Sequence, residues 1–482
     1  MSNMSEKVKQ SIRCIISMLV VTGIVSANVM PVLADEIATV SVKSIPNLNI
    51  RMYGFIETDV INDSNQTSFY EEPDTPAIPK MSTYAGNNGR TIMSVRNSRL
   101  GFDLTMPEME GIKTEAILEM DFMGNQAAND TPGTSTAASV TGTSGSTKGA
   151  VTSVTGITQS ERDFFNNPTE RIRHAYLNMT IGSENAKIGQ TWSLLGWQPY
   201  YFPSEPIVAP SVGQLYRRFP QVRITDTRTS SDLGLKDMTG DWTLETAVDA
   251  AKPGQMDSEI TDFHGGIRIS SNKCKAATGL GSGSSMVGLS LAASAVWIPV
   301  NSVSIGCQTG QGYALDALIP IIPSKDGKDM SNNLSLTAEY SRATGVGGLE
   351  LAGATAGISA PSAAQLGTTS PLDSGIAGIN ALGRLELIDF QTARANLTYV
   401  LPNPKWAVSA GYAQVAPENL SDFTASTSYI SKYVYGYAAV FYMPLKWLKF
   451  AGEYAEFKDT YTDPVNPDAQ DNRIQFTTYV TF

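Results

Sequence analysis

Arginines recur in short clusters through the first half of the chain: Arg96 and Arg99 in Arg-Asn-Ser-Arg-Leu-Gly-Phe, Arg171 and Arg173 in Arg-Ile-Arg-His-Ala-Tyr, and Arg217, Arg218 and Arg223 in Tyr-Arg-Arg-Phe-Pro-Gln-Val-Arg. A guanidinium stays ionised at physiological pH, and its planar fork of N–H donors grips a carboxylate through two parallel hydrogen bonds. Glu115, Glu119 and Asp121 supply fixed anions between the first two clusters. Around a water-filled lumen the arginines would form a positive rung opposite these acids, and the field between them would orient and select charged solutes. The plainer alternative is that the arginines pair with the acids or coat a rim.

Other chemistry is thinly represented. His174 and His264 are the only histidines. Neither stands at a metal-ligand spacing, and no nucleophile elbow or phosphate-cradling glycine loop accompanies them. The expectation is a protein without catalytic residues, metal or cofactor, with a hydrolase built on one Ser or Asp and one His as the competing reading.

Charged side chains in this number need a scaffold that offers them water on one side only. Leu100, Phe102 and Leu104 share one face of a strand, Pro107–Gly111 supplies a turn, and Ala116, Leu118, Met120 and Phe122 resume the apolar face. The opposite face carries Arg99, Asp103, Glu115, Glu119 and Asp121, too many ions for an apolar core without pairing. At the carboxyl end Ile474, Phe476, Thr478 and Val480 alternate with Arg473, Gln475, Thr477 and Tyr479. Neighbouring strand residues point to opposite faces, so the first set suits lipid and places Arg473 and Gln475 in water. Between 433 and 443 the odd positions read Tyr433, Tyr435, Tyr437, Ala439, Phe441 and Met443, an aromatic face expected to look outward at the lipid boundary.

The amino terminus reads as an export signal: Lys7, Lys9 and Arg13 precede the apolar run 15–29, and Val32-Leu33-Ala34 offers a cleavage site before Asp35. Residues 35–482 then carry 32 basic and 45 acidic side chains, an excess that argues against nucleic acid as a partner. Beyond residue 34 no apolar stretch reaches the 18 or so residues of a spanning helix. Only a closed barrel of strands could still cross a membrane. Short turns such as Leu401–Trp406 and Met443–Trp447 contrast with the Ser/Thr/Gly-rich stretch 125–160 and the Gly/Ala/Ser-rich stretch 356–381. Neither stretch has the composition for a core of its own. Short turns at one end and long loops at the other are the asymmetry of bacterial outer-membrane barrels. The segment 193–217 holds Trp197, Tyr200, Tyr201, Phe202 and four prolines with little alternation. A structureless segment of that length is usually functional, and folded inward it would narrow a pore. Cys274 and Cys307 are candidates for a disulfide, with two separate thiols equally open on sequence spacing alone.

Tyr53-Gly54-Phe55, Ser98-Arg99-Leu100-Gly101-Phe102, Arg173-His174-Ala175-Tyr176-Leu177, Gly189-Gln190-Thr191-Trp192-Ser193, Arg218-Phe219-Pro220-Gln221-Val222-Arg223 and the terminal Phe482 together resemble the DcaP-like family of trimeric outer-membrane porins. The ordered series covers the first half of the mature chain and its end, while 270–380 matches poorly. The resemblance implies an all-β fold: a transmembrane antiparallel barrel of about 16 strands, with short periplasmic turns and long extracellular loops. It further implies a homotrimer in outer-membrane lipid, assembled through barrel-assembly machinery that reads Phe482, passing small anionic solutes such as dicarboxylates. Arg99, Arg173, Arg218 and Arg223 lie inside the matching blocks and become pore-lining candidates; Arg171 and Arg217 join them by position. The segment 35–49 is too short, and lacks the heptads, for the coiled-coil extension of some members. A structural or adhesive barrel that transports nothing is the competing class.

Overall fold

The computed structural model describes residues 48–67, 78–124, 136–139, 152–155, 169–196, 212–215, 217–234, 242–251, 261–278, 281–296, 308–324, 329–345, 356–362 and 375–482. Its strands are β1 (Asn49–Asp63), β2 (Arg90–Ser94), β3 (Arg99–Thr105), β4 (Ile112–Gly124), β5 (Thr169–Ile181), β6 (Glu184–Trp192), β7 (Arg218–Thr229), β8 (Trp242–Ala251), β9 (Asp262–Thr278), β10 (Gly281–Val296), β11 (Gln308–Ile322), β12 (Leu334–Thr344), β13 (Asp389–Val400), β14 (Trp406–Pro417), β15 (Ile430–Leu445), β16 (Leu448–Tyr461) and β17 (Asp468–Thr481). β2 and β3 both pair with β1, end to end, and form one stave interrupted at 95–98. Each strand runs antiparallel to its neighbour in sequence, giving a closed barrel of 16 staves.

Closure is made by β1 and β17, in register from Phe55↔Thr481 to Asp63↔Arg473. Gly54 and Phe482 exchange two backbone hydrogen bonds of 3.0 Å at the seam. A closed sheet has no unpaired edge, which is what lets strands occupy lipid. The connections 106–111, 182–183, 230–241, 279–280, 323–333, 401–405 and 446–447 lie at one end. The other end carries 64–89, 125–168, 193–217, 252–261, 297–307, 345–388, 418–429 and 462–467. The first set contains the short turns and the second the long loops expected from the sequence.

Alternation fixes which side chains face lipid. In β17 Asp471, Arg473, Gln475, Thr477 and Tyr479 are buried inside, and Val480 is exposed outside. Val222, Ile224, Phe263, Ile267, Ile269, Leu291 and Leu315 add to an exposed apolar outer belt.

Two expectations about facing are corrected. Tyr433, Tyr435, Tyr437, Ala439 and Phe441 look inward and are buried, while Val440 is exposed on the outer face of β15. The outer aromatic row is instead Trp406, Tyr442, Phe450 and Phe476, stacked across four strands near the turn end at centroid spacings of 4.3, 6.3 and 6.3 Å. Arg473 and Gln475 do point inward, yet neither meets water: Arg473 is 0% exposed and pairs with Asp63 at 2.7 Å, and Gln475 donates to Asp59 at 3.0 Å.

The reason is that this side of the lumen is filled. Leu195, Val212 and Leu215 from 193–217, Ile78 from 64–89, and Ala356 and Ile358 from 345–388 form one buried cluster with Phe390, Val415, Tyr433, Tyr435, Phe441 and Phe457. Burying each large apolar side chain stabilises by roughly 1.5–3 kcal/mol, so the inner face of β13–β16 is a packed interior, in which Arg394, Asn396, Glu453 and Asp459 are also buried. The stretch 356–381 also packs more than its composition foretold: Ala377–Ile379 pairs with Leu385–Leu387 around buried Ile376 and Leu385. Thr136–Ser139 pairs with Thr152–Thr155 inside 125–160. Cys307 and the side chain of Cys274 lie outside the described residues, as do residues 1–47.

Candidate functional site

The described residues at both ends of 193–217 reach other strands. Leu194 packs on Ala247 of β8, Gly196 donates its backbone N–H to Ser290 Oγ of β10 at 2.8 Å, and Leu215 donates to Glu339 Oε1 of β12 at 2.8 Å. Gly213 has φ +77°, a conformation that favours glycine, and an added Cβ would lie 3.2 Å from the Gln414 carbonyl oxygen. The described ends therefore pack against β8 and β10 on one side and β12–β14 on the other, and open space remains between them along β4–β9. That space is a cavity of about 1020 Å³ lined by, among others, Tyr53, Glu119, His174, Tyr176, Lys187 and Arg223.

A β-bulge builds the upper wall. β4 and β5 pair Glu119↔His174 and then Met120↔Ile172, so Arg173 is the extra residue. A bulge puts two residues of one strand opposite one of its partner and re-aims the side chains there. Arg173 consequently reaches the acids of β4 although His174 also lines the cavity. Arg173 is 2% exposed; its Nε donates to Glu119 at 3.0 Å and its Nη1 to Asp121 at 2.7 Å. Arg171 grips Asp121 through Nε at 3.0 Å and Nη2 at 2.8 Å. Tyr53 donates its hydroxyl to Glu119 at 3.2 Å, its ring passing over Gly101, where a Cβ would approach Cζ to 2.3 Å.

These pairings correct the expected rung. Glu119 and Asp121 do not stand across the lumen from the arginines; they are their neighbours on the adjacent strand. The third acid, Glu115, accepts from Asn178 Nδ2 at 3.3 Å. The Arg99 guanidinium lies 5.1 Å from the Phe55 ring centre, and that of Arg218 4.5 Å from Trp192. Arg223 donates to the Trp192 carbonyl oxygen at 2.6 Å and to Asp249 at 3.2 Å. Arg217 precedes β7, its carbonyl accepting the Ser193 N–H at 2.9 Å. Of the nine charged candidates, Glu119 and Arg223 line the cavity.

Sequence reading missed several charged groups. Asp249 bridges Arg223 and His264, whose Nδ1 is 2.7 Å from Asp249 Oδ1. Arg268 binds Glu245 at 2.6 Å. Lys187 faces the cavity with its ammonium 4.8 Å from the Tyr176 ring centre. Across the barrel, Asp316 and Glu339 are register partners on β11 and β12, with Arg394 next on β13. Strict alternation in Asp262-Phe-His-Gly-Gly-Ile-Arg268 and Asn185-Ala-Lys187 carried the signal for His264, Arg268 and Lys187. Among the described residues no cluster of three His, Cys, Asp or Glu side chains is arranged to hold a metal ion.

The barrel, its inward loop and its charged wall can be set beside known structures. The crystal structure of the outer membrane channel DcaP of Acinetobacter baumannii superposes with a TM-score of 0.55, at 17% identity, over 92% of this chain and 100% of that one. An anion-selective porin from Comamonas acidovorans superposes with a TM-score of 0.50, at 10% identity, over 90% of this chain and 100% of that one. The fold is that of the bacterial outer-membrane porins. Its exposed apolar belt is the outer face a membrane-spanning barrel requires. No protein-family model matches the sequence, and a sequence search among characterised proteins finds no match.

Proposed function

We propose that the chain is a porin that lets small anions, dicarboxylates among them, diffuse across the outer membrane, and that it works as a homotrimer. The observation that carries the reading is Lys187. Around the cavity Arg223, Arg228 and Arg268 each have a carboxylate partner, Asp249, Asp226 and Glu245, whereas Lys187 has none within ion-pairing reach among the described residues. A cation left uncompensated in a confined lumen attracts anions and repels cations, and one site of modest affinity lets the solute leave again. The acidic total of the chain does not oppose this, because the charge nearest the passage decides entry. The anion selectivity of the Comamonas porin and the channel character of DcaP support the same reading.

The path of the solute is the cavity along β4–β9 that the described ends of 193–217 leave open. The test is the reversal potential of purified protein in a planar bilayer under a salt gradient, with succinate and then glucosamine as test ions. A potential favouring succinate is expected. A potential at zero, or one favouring glucosamine, overturns anion selectivity; silence from inserted barrels overturns the pore and leaves a structural or adhesive role.

A further inference from the structure

Below Lys187 the cavity wall changes character. On β7 Arg223, Thr225, Thr227 and Thr229 alternate into the cavity, two residues or roughly 6.7 Å apart. Asn185 on β6 is the register partner of Thr225, and Lys187 that of Arg223. A cation thus lies at the head of a column of hydroxyls that descends toward the turn end of the barrel. Thr229 is engaged with Asp232, donating at 2.7 Å. The hydroxyls of Thr225 and Thr227 have no side-chain partner among the described residues.

The aromatic rings in the same cavity are already covered. Tyr176 carries the Lys187 ammonium on one face and the edge of His174 at 6.1 Å. Trp192 holds Arg218 at 4.5 Å, Arg173 at 5.8 Å and the edge of His174 at 5.5 Å. Tyr53 lies between Arg51, 5.6 Å from its centre, and the backbone of Gly101. Among the described residues of the cavity a planar aromatic ligand would find no open ring to stack on. A ligand rich in hydroxyl groups would find donors and acceptors waiting.

We propose that this cavity is a binding site for hydroxylated monocarboxylates, the sugar acids, with the carboxylate on Lys187 and ring hydroxyls on Thr225 and Thr227. The inference deepens the porin reading and rests on it. An ammonium with no carboxylate of its own offers its hydrogens to the ligand without first breaking an ion pair, and two unengaged hydroxyls add direction at a distance a pyranose spans.

The test uses the full-length trimer in planar bilayers and reads the saturable block of chloride current. Glucuronate is compared with cyclohexanecarboxylate, which has the same charge and ring size but no hydroxyls, and with glucose, which has the hydroxyls but no charge. Glucuronate should block with an apparent affinity at least about tenfold above either control. Lys187→Met should remove that block and Lys187→Arg should keep it, which separates lost binding from a misfolded barrel. Thr225→Val with Thr227→Val should bring the two acids to within about threefold of each other. Equal block by both acids, or block that survives Lys187→Met, overturns the site while the chloride current leaves the pore reading standing. Absence of chloride current from inserted protein removes the pore reading and this inference with it.

Discussion

Asp121 is the anion on which the upper wall of the cavity depends, and replacing it with Asn isolates what that wall contributes. The carboxylate is 0% exposed and accepts four hydrogen bonds, from Arg171 Nε at 3.0 Å, Arg171 Nη2 at 2.8 Å, Arg173 Nη1 at 2.7 Å and the Met123 backbone N–H at 3.1 Å. Removing one partner of a buried ion pair costs about 3–5 kcal/mol, because the other charge is left buried without compensation. Two details place Asp121→Asn near the lower end of that range. Arg173 keeps Glu119 at 3.0 Å, and the Arg171 side chain is 30% exposed and turns toward water. The expected loss is therefore about 3 kcal/mol. Urea unfolding in lipid vesicles, followed by tryptophan fluorescence, measures it. Adding Arg171→Gln should restore about 1 kcal/mol, since the cation that gripped the Asp121 carboxylate is removed together with it. A loss below about 1 kcal/mol, or strictly additive single substitutions, would refute the claim that these groups form one buried network.

A further outcome follows from the loops. Lys80 in 64–89 donates to Asp463 in 462–467 at 2.8 Å and lies 4.7 Å from the Tyr461 ring centre, and that hydrogen bond holds the Asp463 carboxyl below its ordinary range. A depressed carboxylate stabilises the folded form fully above its ordinary pKa and loses that contribution as pH falls through the depressed value. Protease cleavage within 64–89 should thus accelerate on acidification below the ordinary carboxylate range, and Asp463→Asn should flatten the profile; a profile unchanged in the variant would sink the latch.

The parts of the fold that were legible share one physical origin. A strand in lipid must alternate, and the hairpin from Leu100 to Phe122 and the final strand through Val480 declare their outward faces by that period alone. Turn position was equally open, because Pro-Asn-Pro at 402–404 and the residues around Trp447 break strands at short intervals, whereas 125–160 and 356–381 lack the apolar content to continue them. Glu119 and Asp121 were placed on the inner face for the same reason, together with Arg171 and Arg173 of the neighbouring strand. Their pairing was not legible, since period two says which face a residue takes and nothing about which neighbour in register it meets. The bulge at Arg173 compounds this: it breaks the period for one residue, and no local composition announces it.

The misread aromatic face of β15 shows where sequence reasoning reaches its limit in a barrel. Tyr433, Tyr435, Tyr437 and Phe441 suit either a lipid boundary or a dry core, and the strand itself cannot decide between them. The decision is made by Leu195, Val212 and Leu215, more than 200 residues earlier, which fold across the lumen and turn the inner face of β15 into an interior. Once that wall is filled, the proposed path runs on the β4–β9 side, where Arg171, Arg173, Arg223 and Arg268 are each held by an acid of the adjacent strand. On the proposed reading the passage is shaped less by the number of its arginines than by Lys187, which among the described residues has no carboxylate within ion-pairing reach. A field assembled this way is local and short in range. Lys187→Met should accordingly shift anion preference more than the loss of any arginine already neutralised beside it.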